Sequence, residues 1–221
     1  MEQSILTPSQ RVVLECVAGN ADIASQFYLT GGTALAEYYL RHRYSDDLDF
    51  FSSVKDFPQI LIERFAGDIK TAFHIESVEY RRLHDRRIFF FLLQDNEELK
   101  MEFTLYPFRQ INKPERKHGI AVDSLQDIAA NKIMAMMDRI ESKDFVDLYF
   151  ILEEKGIHLD EILACVKQKF NITIDPITIG SEFAKVRHIN LLPRMIKSLT
   201  IEQLKIFFTE RAAALKPKIF E

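Results

Sequence analysis

Two aspartates in the segment Asp47-Leu48-Asp49-Phe50 have a spacing that suits cation binding. Successive side chains of a β-strand point to opposite faces, so Asp47 and Asp49 share one face while Leu48 and Phe50 point into the core. Two carboxylates this close repel each other unless a divalent cation lies between them. Mg²⁺ binds hard oxygen ligands, usually one or two carboxylates together with substrate phosphates. The pair therefore predicts a Mg²⁺ or Mn²⁺ site, although acidic pairs are also common on the solvent face of a strand.

A third carboxylate, Glu102, falls on a second predicted strand. The segment from Leu99 to Tyr106 alternates strictly between apolar and polar residues, and Glu102 belongs to the polar set. If this strand lies beside the strand of Asp47 and Asp49, three carboxylates converge in a two-metal site for in-line displacement at phosphorus. Taken alone, Glu102 is more often a solvated strand residue.

A glycine turn strengthens the interpretation of the aspartates. The predicted strand 27–30 ends at Gly31-Gly32-Thr33, and a predicted helix over 33–41 follows. Free N–H groups at a helix start bind anions, and glycine lets a phosphate approach the backbone closely. Thr33 adds a hydroxyl. A lone Gly-Gly pair has little specificity, but its position before a short helix and an Asp-x-Asp strand predicts a combined phosphate and metal site.

Lys132 is predicted to lie within an apolar helical face. The apolar arc around it on the helix 124–140 comprises Leu125, Ile128, Ala129, Ile133, Met136 and Ile140. A buried ammonium without a partner is costly, so its head either reaches water or meets a fixed anion, such as a triphosphate or one of the carboxylates. Asp144 in the first turn of the next predicted helix is explained by the helix dipole alone, and Asp147 is expected on the more polar side of that helix.

The elements that must position these residues divide the chain into two predicted parts. Residues 1–122 are predicted to form a mixed α/β domain, and residues 123–221 an all-helical domain, which gives an α+β fold class. The other predicted helices cover residues 8–25, 57–70, 142–155, 159–170 and 198–214. The predicted strands are 27–30, 47–51, 74–82, 87–93 and 99–106, with a turn at 95–98 and a basic loop at 107–119.

Composition sets broad limits on the function. Of 221 residues, 47% are hydrophobic and 28% are charged, which is ordinary for a globular protein. The net charge of −4 indicates no strong nonspecific affinity for nucleic acid. The two cysteines, Cys16 and Cys165, have no zinc-binding spacing. Neither a signal segment nor a run of membrane-spanning length is present, so we expect a protein of the reduced cytoplasm with no membrane partner.

The motifs resemble one known family. The segments 27–35 (FYLTGGTAL) and 42–50 (HRYSDDLDF) closely resemble the AbiEii-type nucleotidyltransferases, the toxin component of type IV toxin–antitoxin and phage-abortive systems, related to the MenT toxins. The resemblance continues in residues 127–132 and 139–149 and covers about residues 27–152. The last seventy or so residues carry no recognised motif.

The resemblance implies a polymerase-β-like nucleotidyltransferase core followed by a helical part. It implies that Gly31, Gly32 and Thr33 hold the triphosphate of an NTP, that Asp47 and Asp49 carry Mg²⁺ or Mn²⁺, and that Asp144 is the acidic residue of the last motif. Lys132 would contact phosphates, and Arg43 and Ser45 of the connecting loop count among the nucleotide-binding residues. Glu102 stands where the superfamily commonly has aspartate; it could bind metal or act as a general base.

Three functions remain open at this point. The first is a Mg²⁺-dependent transfer of a nucleotide from an NTP to an acceptor, tRNA in some members of the family, by a toxin that has a cognate antitoxin. The acceptor would meet cations that cluster in the sequence, namely Arg81, Arg82, Arg86, Arg87 and the 109–118 loop. The second is a catalytically weak nucleotide-binding or regulatory module, and the third is a metal-dependent phosphohydrolase.

Overall fold

The computed structural model describes residues 4–55, 59–75, 77–93 and 97–215. The chain divides into two compact units. The first comprises the described residues up to Glu37 together with Ser45–Ser124, and the second comprises Tyr38–Tyr44 together with the described residues from Leu125 onward. The predicted division after residue 122 lies close to the later of these boundaries. The sequence did not indicate that Tyr38–Tyr44 belongs to the helical unit.

The first unit is built on a mixed β-sheet. Its described strands are β1 (Tyr28–Thr30), β2 (Asp47–Ser52), β3 (Val78–Leu83), β4 (Arg86–Leu92), β5 (Glu98–Leu105), β6 (Glu115–Lys117) and β7 (Ile120–Val122). They run in the order β3-β4-β5-β2-β1-β7-β6. Strand β2 pairs with β1 in the antiparallel sense and with β5 in the parallel sense. The strand of the two aspartates therefore lies beside the strand of Glu102, as the site hypothesis requires.

The helices of the first unit build an aromatic core with one face of this sheet. They are α1 (Pro8–Gly19), α2 (Ala21–Gln26), α3 (Gly31–Leu35) and α4 (Gln59–Ala72), and a π-helical turn over Ala36–Leu40 continues α3. The ring of Phe103 on β5 lies 4.9 Å from that of Phe27 and 6.0 Å from that of Phe65 on α4, centroid to centroid. Strand alternation turns Phe50 and Phe103 toward this core and leaves the opposite sheet face for polar side chains.

The second unit is helical. It contains α5 (Leu125–Asp138), α6 (Ser142–Glu154), α7 (Leu159–Phe170), α8 (Pro176–Ala184), a 3₁₀ turn (Lys185–His188) and α9 (Ile201–Ala214). Phe208 on α9 packs edge-on against Phe145 and Phe183, at centroid distances of 5.2 and 5.0 Å. A fully buried ion pair of 2.7 Å joins Lys169 on α7 to Asp127 on α5. Apolar packing and internal charge pairing both hold these helices together.

Several element boundaries differ from the sequence-based prediction. The strand predicted over 74–82 begins only at Val78, and the loop predicted over 107–119 contains β6. The helix predicted over 33–41 starts two residues earlier and changes to a π-turn. Helix α8 was not predicted, although Asp175 caps it and Pro176 occupies its first turn. Parts of the predicted helix 57–70, the strand 74–82 and the turn 95–98 lie outside the described residues.

None of the described helices is long and apolar enough to cross a membrane. The longest of them, α4, α5 and α9, have 14 residues each, whereas a bilayer requires about 20 apolar residues.

Candidate active site

Strand β2 places Asp47 and Asp49 on the polar face of the sheet. Along this strand Leu48 and Phe50 are fully buried while the two aspartates are half-buried. The predicted alternation is therefore confirmed. Asp49 is in register with Thr30 of β1 on one side and with Glu102 of β5 on the other. The two carboxylates thus lie between the glycine turn that follows β1 and the third acidic residue.

Gly31 fits closely against Asp49. Its backbone has a φ of +71°, a left-handed conformation that favours glycine. A Cβ at this position would overlap the Oδ2 atom of Asp49. Both the conformation and the space therefore require glycine, and the turn and the Asp-x-Asp strand form one fitted structure.

Thr33 connects this turn to β2 by a hydrogen bond. Its side chain is fully buried, and its hydroxyl donates a hydrogen bond to the backbone carbonyl of Asp47. In this structure the hydroxyl therefore stabilises the turn, and its predicted contact with a phosphate stays a prediction. Ser45, the other predicted hydroxyl contact, is half-buried, and its backbone carbonyl accepts a hydrogen bond of 2.7 Å from the Gln10 side chain.

The start of α3 has no side-chain cap. The residue in the capping position, Thr30, donates its hydroxyl to Asp123 at 2.9 Å and makes no capping hydrogen bond to α3. The second oxygen of Asp123 accepts from Gln110 at 2.9 Å. The backbone N–H groups at Gly31 and Gly32 are thus left without the side-chain acceptor that many helix starts possess.

Glu102 lies on the predicted face of β5, but neighbouring side chains already bind its carboxylate. Its carboxylate accepts two hydrogen bonds from Arg86 of β4, from Nε at 2.5 Å and from Nη2 at 2.6 Å. The Thr104 hydroxyl donates to the same carboxylate at 2.7 Å. Burial would raise the pKa of Glu102, but the hydrogen bonds from Arg86 and Thr104 lower it overall. A carboxylate so stabilised in its charged form is a poor general base, which weakens that predicted role.

Lys100 is a second cation on this face. Its ammonium lies 3.1 Å from Oδ2 of Asp47 and 3.7 Å from Oε2 of Glu102. Burial would lower its pKa, but the carboxylates of Asp47 and Asp49 raise it overall. Lys100 was not predicted as part of the site, and Arg86 was predicted only among the cations that would meet the acceptor. The strict alternation of β5 placed Lys100 on the face of Glu102 and was a usable signal, whereas the Arg86 contact depends on the β4–β5 register.

The predicted donors for a metal ion are Asp47, Asp49 and Glu102. Across the described ranges, no group of three histidine, cysteine or acidic side chains is arranged to hold a metal ion, and Arg86 binds the Glu102 carboxylate. The three-carboxylate metal site stays a prediction. Asp47 and Asp49 alone still match Mg²⁺, which needs only one or two carboxylates when substrate phosphates supply further oxygens.

Lys132 meets fixed anions inside the second unit. Its ammonium lies 2.8 Å from Asp144 and 2.6 Å from Asp147, and only 8% of its side chain is exposed. Burial would lower its pKa, but the carboxylates of Asp147 and Asp144 raise it. Of the two partners considered from the sequence, carboxylates are the ones observed. Arg139 also binds Asp144, at 3.0 Å, and the predicted phosphate and catalytic roles of Lys132 and Asp144 stay predictions.

Asp147 is the centre of the same cluster. It is fully buried, so the expectation that it lies on a polar helix side was wrong. Its carboxylate accepts from Arg43 Nε at 2.6 Å and Nη2 at 2.8 Å, and it lies 2.7 Å from His42 Nε2. Burial would raise its pKa, but Lys132 and Arg43 hold it well below the usual value. Because Arg43 is buried and its Nη1 donates to the Tyr44 carbonyl, its predicted contact with a nucleotide is not supported.

The comparisons identify the class and then the family. The mixed sheet with a glycine turn beside an Asp-x-Asp strand is the core of a nucleotidyltransferase. The family model for the nucleotidyl transferase AbiEii toxin of type IV toxin–antitoxin systems matches residues 12–215. The chain therefore belongs to this family of nucleotidyltransferases, as the sequence motifs predicted.

Individual relatives agree with this assignment. The uncharacterized protein aq_aa25 of Aquifex aeolicus (strain VF5) is 34% identical over 168 residues, which are 75% of this chain and 76% of that protein. The structure of JHP933 from Helicobacter pylori has a TM-score of 0.59 at 22% identity and covers 95% of this chain and 90% of its own. MenT4, a nucleotidyltransferase toxin from Mycobacterium tuberculosis H37Rv, has a TM-score of 0.52 at 11% identity, over 94% of this chain and 82% of its own. At these identities the two structures show a shared fold.

Proposed function

We propose that this nucleotidyltransferase depends on Mg²⁺ or Mn²⁺ and transfers a nucleotide from an NTP to an RNA acceptor, with tRNA as the candidate. We further propose that it is the toxin of a pair with a cognate antitoxin. The observation that carries the proposal is the fit of Gly31 against the Asp49 carboxylate, which joins the glycine turn to the strand of the two aspartates.

Each residue of the site has its own role in the proposed reaction. Asp47 and Asp49 would hold the metal ion, and the backbone at Gly31 and Gly32 would hold the β- and γ-phosphates. A bound divalent cation would supply neutralisation and alignment of the phosphate oxygens. Thr33 fixes the distance between turn and strand through its bond to the Asp47 carbonyl. Lys100 partly offsets the charge of Asp47 before a cation binds.

The transfer itself requires little covalent chemistry from the protein. An acceptor hydroxyl oxygen forms a bond to the α-phosphorus, and the bond between that phosphorus and the β-phosphate oxygen breaks. Pyrophosphate leaves with the electron pair, and the hydroxyl proton passes to water. Phosphoryl-type transfer is accelerated chiefly by positioning and charge stabilisation, so a site without a strong general base is adequate.

The RNA acceptor and the antitoxin are proposed on separate grounds. The β3–β4 hairpin exposes Arg81, Arg82 and Arg86, and exposed cations near a site attract a phosphate backbone. Since the chain as a whole is acidic, this attraction would be local. The antitoxin is proposed because the family is described as part of a type IV toxin–antitoxin system.

One assay tests the proposed reaction. The protein is incubated with Mg²⁺, each α-labelled NTP in turn, and total tRNA. We expect label on the RNA with wild type and a loss of about 10³-fold with Asp49→Ala, because the metal supplies several kcal/mol of transition-state stabilisation. Asp68→Ala, at an exposed acid of α4, is the matched control and should transfer normally.

The alternatives give different products in the same assay. Release of phosphate or pyrophosphate without labelled RNA would favour a phosphohydrolase. NTP binding without any product would favour a binding module. Full transfer by Asp49→Ala would refute the metal assignment.

A further inference from the structure

The two side chains of the Arg86–Glu102 ion pair differ in solvent exposure. The Glu102 side chain is 5% exposed, whereas that of Arg86 is 45% exposed. Both carboxylate oxygens accept from the guanidinium, through Nε and Nη2. These contacts leave Nη1 of Arg86 to donate outward. The accessible chemistry at this position is therefore that of an arginine, although a carboxylate occupies the strand position beside Asp49.

The charges on this sheet face favour a single divalent cation. Asp47, Asp49 and Glu102 contribute three negative charges, and Lys100 and Arg86 contribute two positive charges within the same group. One net negative charge remains among these side chains, which supports one protein-bound divalent cation, and any further cation would be held chiefly by the triphosphate. A second cation would have to displace Arg86 from Glu102, and breaking a bidentate pair whose acid is buried is costly.

The strand order places Arg86 on the far side of the metal strand from the glycine turn. Going across the sheet, β1 with its turn comes first, then β2 with Asp49, then β5 with Glu102, and then β4 with Arg86. In an in-line displacement, the attacking and leaving oxygens lie on opposite sides of phosphorus. If the leaving pyrophosphate lies at Gly31 and Gly32, the acceptor enters from the side of β5 and β4.

We propose that Glu102 is a positioning residue and not a metal ligand, and that it holds Arg86 on the acceptor side to bind a phosphate of the incoming RNA. The inference rests on the proposed function, since it takes the metal and the triphosphate as bound at Asp47, Asp49 and the glycine turn. An arginine suits the task because its planar fork binds a carboxylate with one edge and keeps donors for a phosphate. Glu102 fixes the orientation of that fork.

The metal arm of the test measures Mn²⁺ binding by electron paramagnetic resonance, in the presence of a non-hydrolysable NTP analogue. Wild type and Glu102→Gln should each bind one Mn²⁺. The affinity of Glu102→Gln should stay within about 10-fold of wild type, because a nearby charge is lost but no ligand, while Asp49→Asn should lose about 100-fold or more. If Glu102→Gln loses as much affinity as Asp49→Asn, or if wild type binds a second Mn²⁺ that Glu102→Gln lacks, Glu102 is a ligand and the inference is overturned.

The acceptor arm measures steady-state transfer with total tRNA and NTP varied separately. Arg86→Ala should raise the KM for tRNA by about 10- to 100-fold, the value of one lost charge-assisted contact, with the KM for NTP unchanged. Arg86→Lys keeps a charge opposite Glu102 but loses the fork, so it should fall between wild type and Arg86→Ala. Glu102→Gln should raise the KM for tRNA while leaving the KM for NTP unchanged. Arg64→Ala, at an exposed arginine on α4, is the control.

The two proposals fail in different ways. If wild type neither binds Mn²⁺ with the analogue nor labels tRNA, the proposed function fails. If wild type does both and Asp49→Asn does neither, but the Arg86 variants keep the wild-type KM for tRNA, only this inference fails. Faster transfer and a second Mn²⁺ in Arg86→Ala would show instead that Arg86 blocks a third ligand. Thermal unfolding of each variant confirms that a folded protein is compared.

Discussion

The two charged centres of this protein use the same types of side chain under opposite conditions. On the sheet of the first unit, Asp47 keeps a third of its side chain exposed and shares a face with Asp49. In the helical unit, Asp144 and Asp147 are fully buried and are bound by surrounding cations. Partly exposed acids can be reached by a ligand, while buried acids with their cations in place hold helices and a loop together.

The largest effect on stability is expected from removing the carboxylate of Asp147. Asp147→Ala would leave Arg43 and Lys132 buried with fewer partners, and breaking a buried charge network in this way costs about 3–5 kcal/mol. We expect that loss in the free energy of unfolding, measured by urea denaturation. The same substitution at the exposed Asp68 of α4 should change stability by no more than about 0.5 kcal/mol. Equal stability of Asp147→Ala and wild type would mean that the cluster does not support the fold.

Gly31→Ala sharpens the other side of the comparison. The methyl group would require a strained left-handed alanine and would overlap the Asp49 carboxylate. We expect a cost of about 2 kcal/mol in unfolding free energy together with a loss of nucleotide transfer. Gly67→Ala, in an exposed part of α4 with no atom near the added Cβ, should instead stabilise by about 0.5–1 kcal/mol. A neutral Gly31→Ala would contradict the fitted turn.

Asp47→Asn tests whether the sheet acids are placed for binding and not for stability. The partly buried contact with Lys100 contributes about 1 kcal/mol, and removing one charge relieves repulsion from Asp49. Unfolding free energy should therefore change by no more than about 1 kcal/mol in either direction, while transfer in the labelled-NTP assay falls sharply. A large loss of stability with transfer intact would reverse the roles assigned to the two centres.

The smallest predicted effect is a pH dependence from His42. Burial outweighs the contact with Asp147 and lowers its pKa below the usual 6.5. Below pH 6.5 the His42 imidazole binds a proton in the unfolded chain but stays neutral in the folded protein. The unfolding free energy therefore falls with decreasing pH, by at most about 1.4 kcal/mol per pH unit. Above pH 6.5 the contribution vanishes. His42→Gln should flatten the slope between pH 6.5 and 5 in denaturant titrations, and identical slopes would show that His42 is not buried in its neutral form.

Local patterns in the sequence predicted much of the fold. Alternation on β2 correctly assigned Leu48 to the core and Asp47 to the polar face, because side-chain direction on a strand depends only on position. Helix α7 has the predicted bounds, since its apolar spacing and terminal residues agree. Helix α8 was missed although Asp175 and Pro176 form a standard start signal, so this omission was avoidable.

The partners of the charged residues could not be predicted in the same way. The hydrogen bonds from Arg86 to Glu102 depend on the register of β4 with β5, and the burial of Asp147 depends on a loop more than a hundred positions earlier. Local periodicity contains no information about such distant pairings. Thr33 shows the same limit, because residue type alone did not indicate that its hydroxyl donates to the Asp47 carbonyl on β2.

We propose that the metal ion and the nucleotide bind at Asp47, Asp49 and the glycine turn. The most direct measurement is a crystal structure of the protein with Mn²⁺ and a non-hydrolysable NTP analogue, with anomalous differences collected for manganese. The account predicts a manganese peak bound by Asp47 and Asp49, with the phosphates against Gly31 and Gly32. A manganese peak held by any other side chains, or a triphosphate bound away from Gly31, would contradict it.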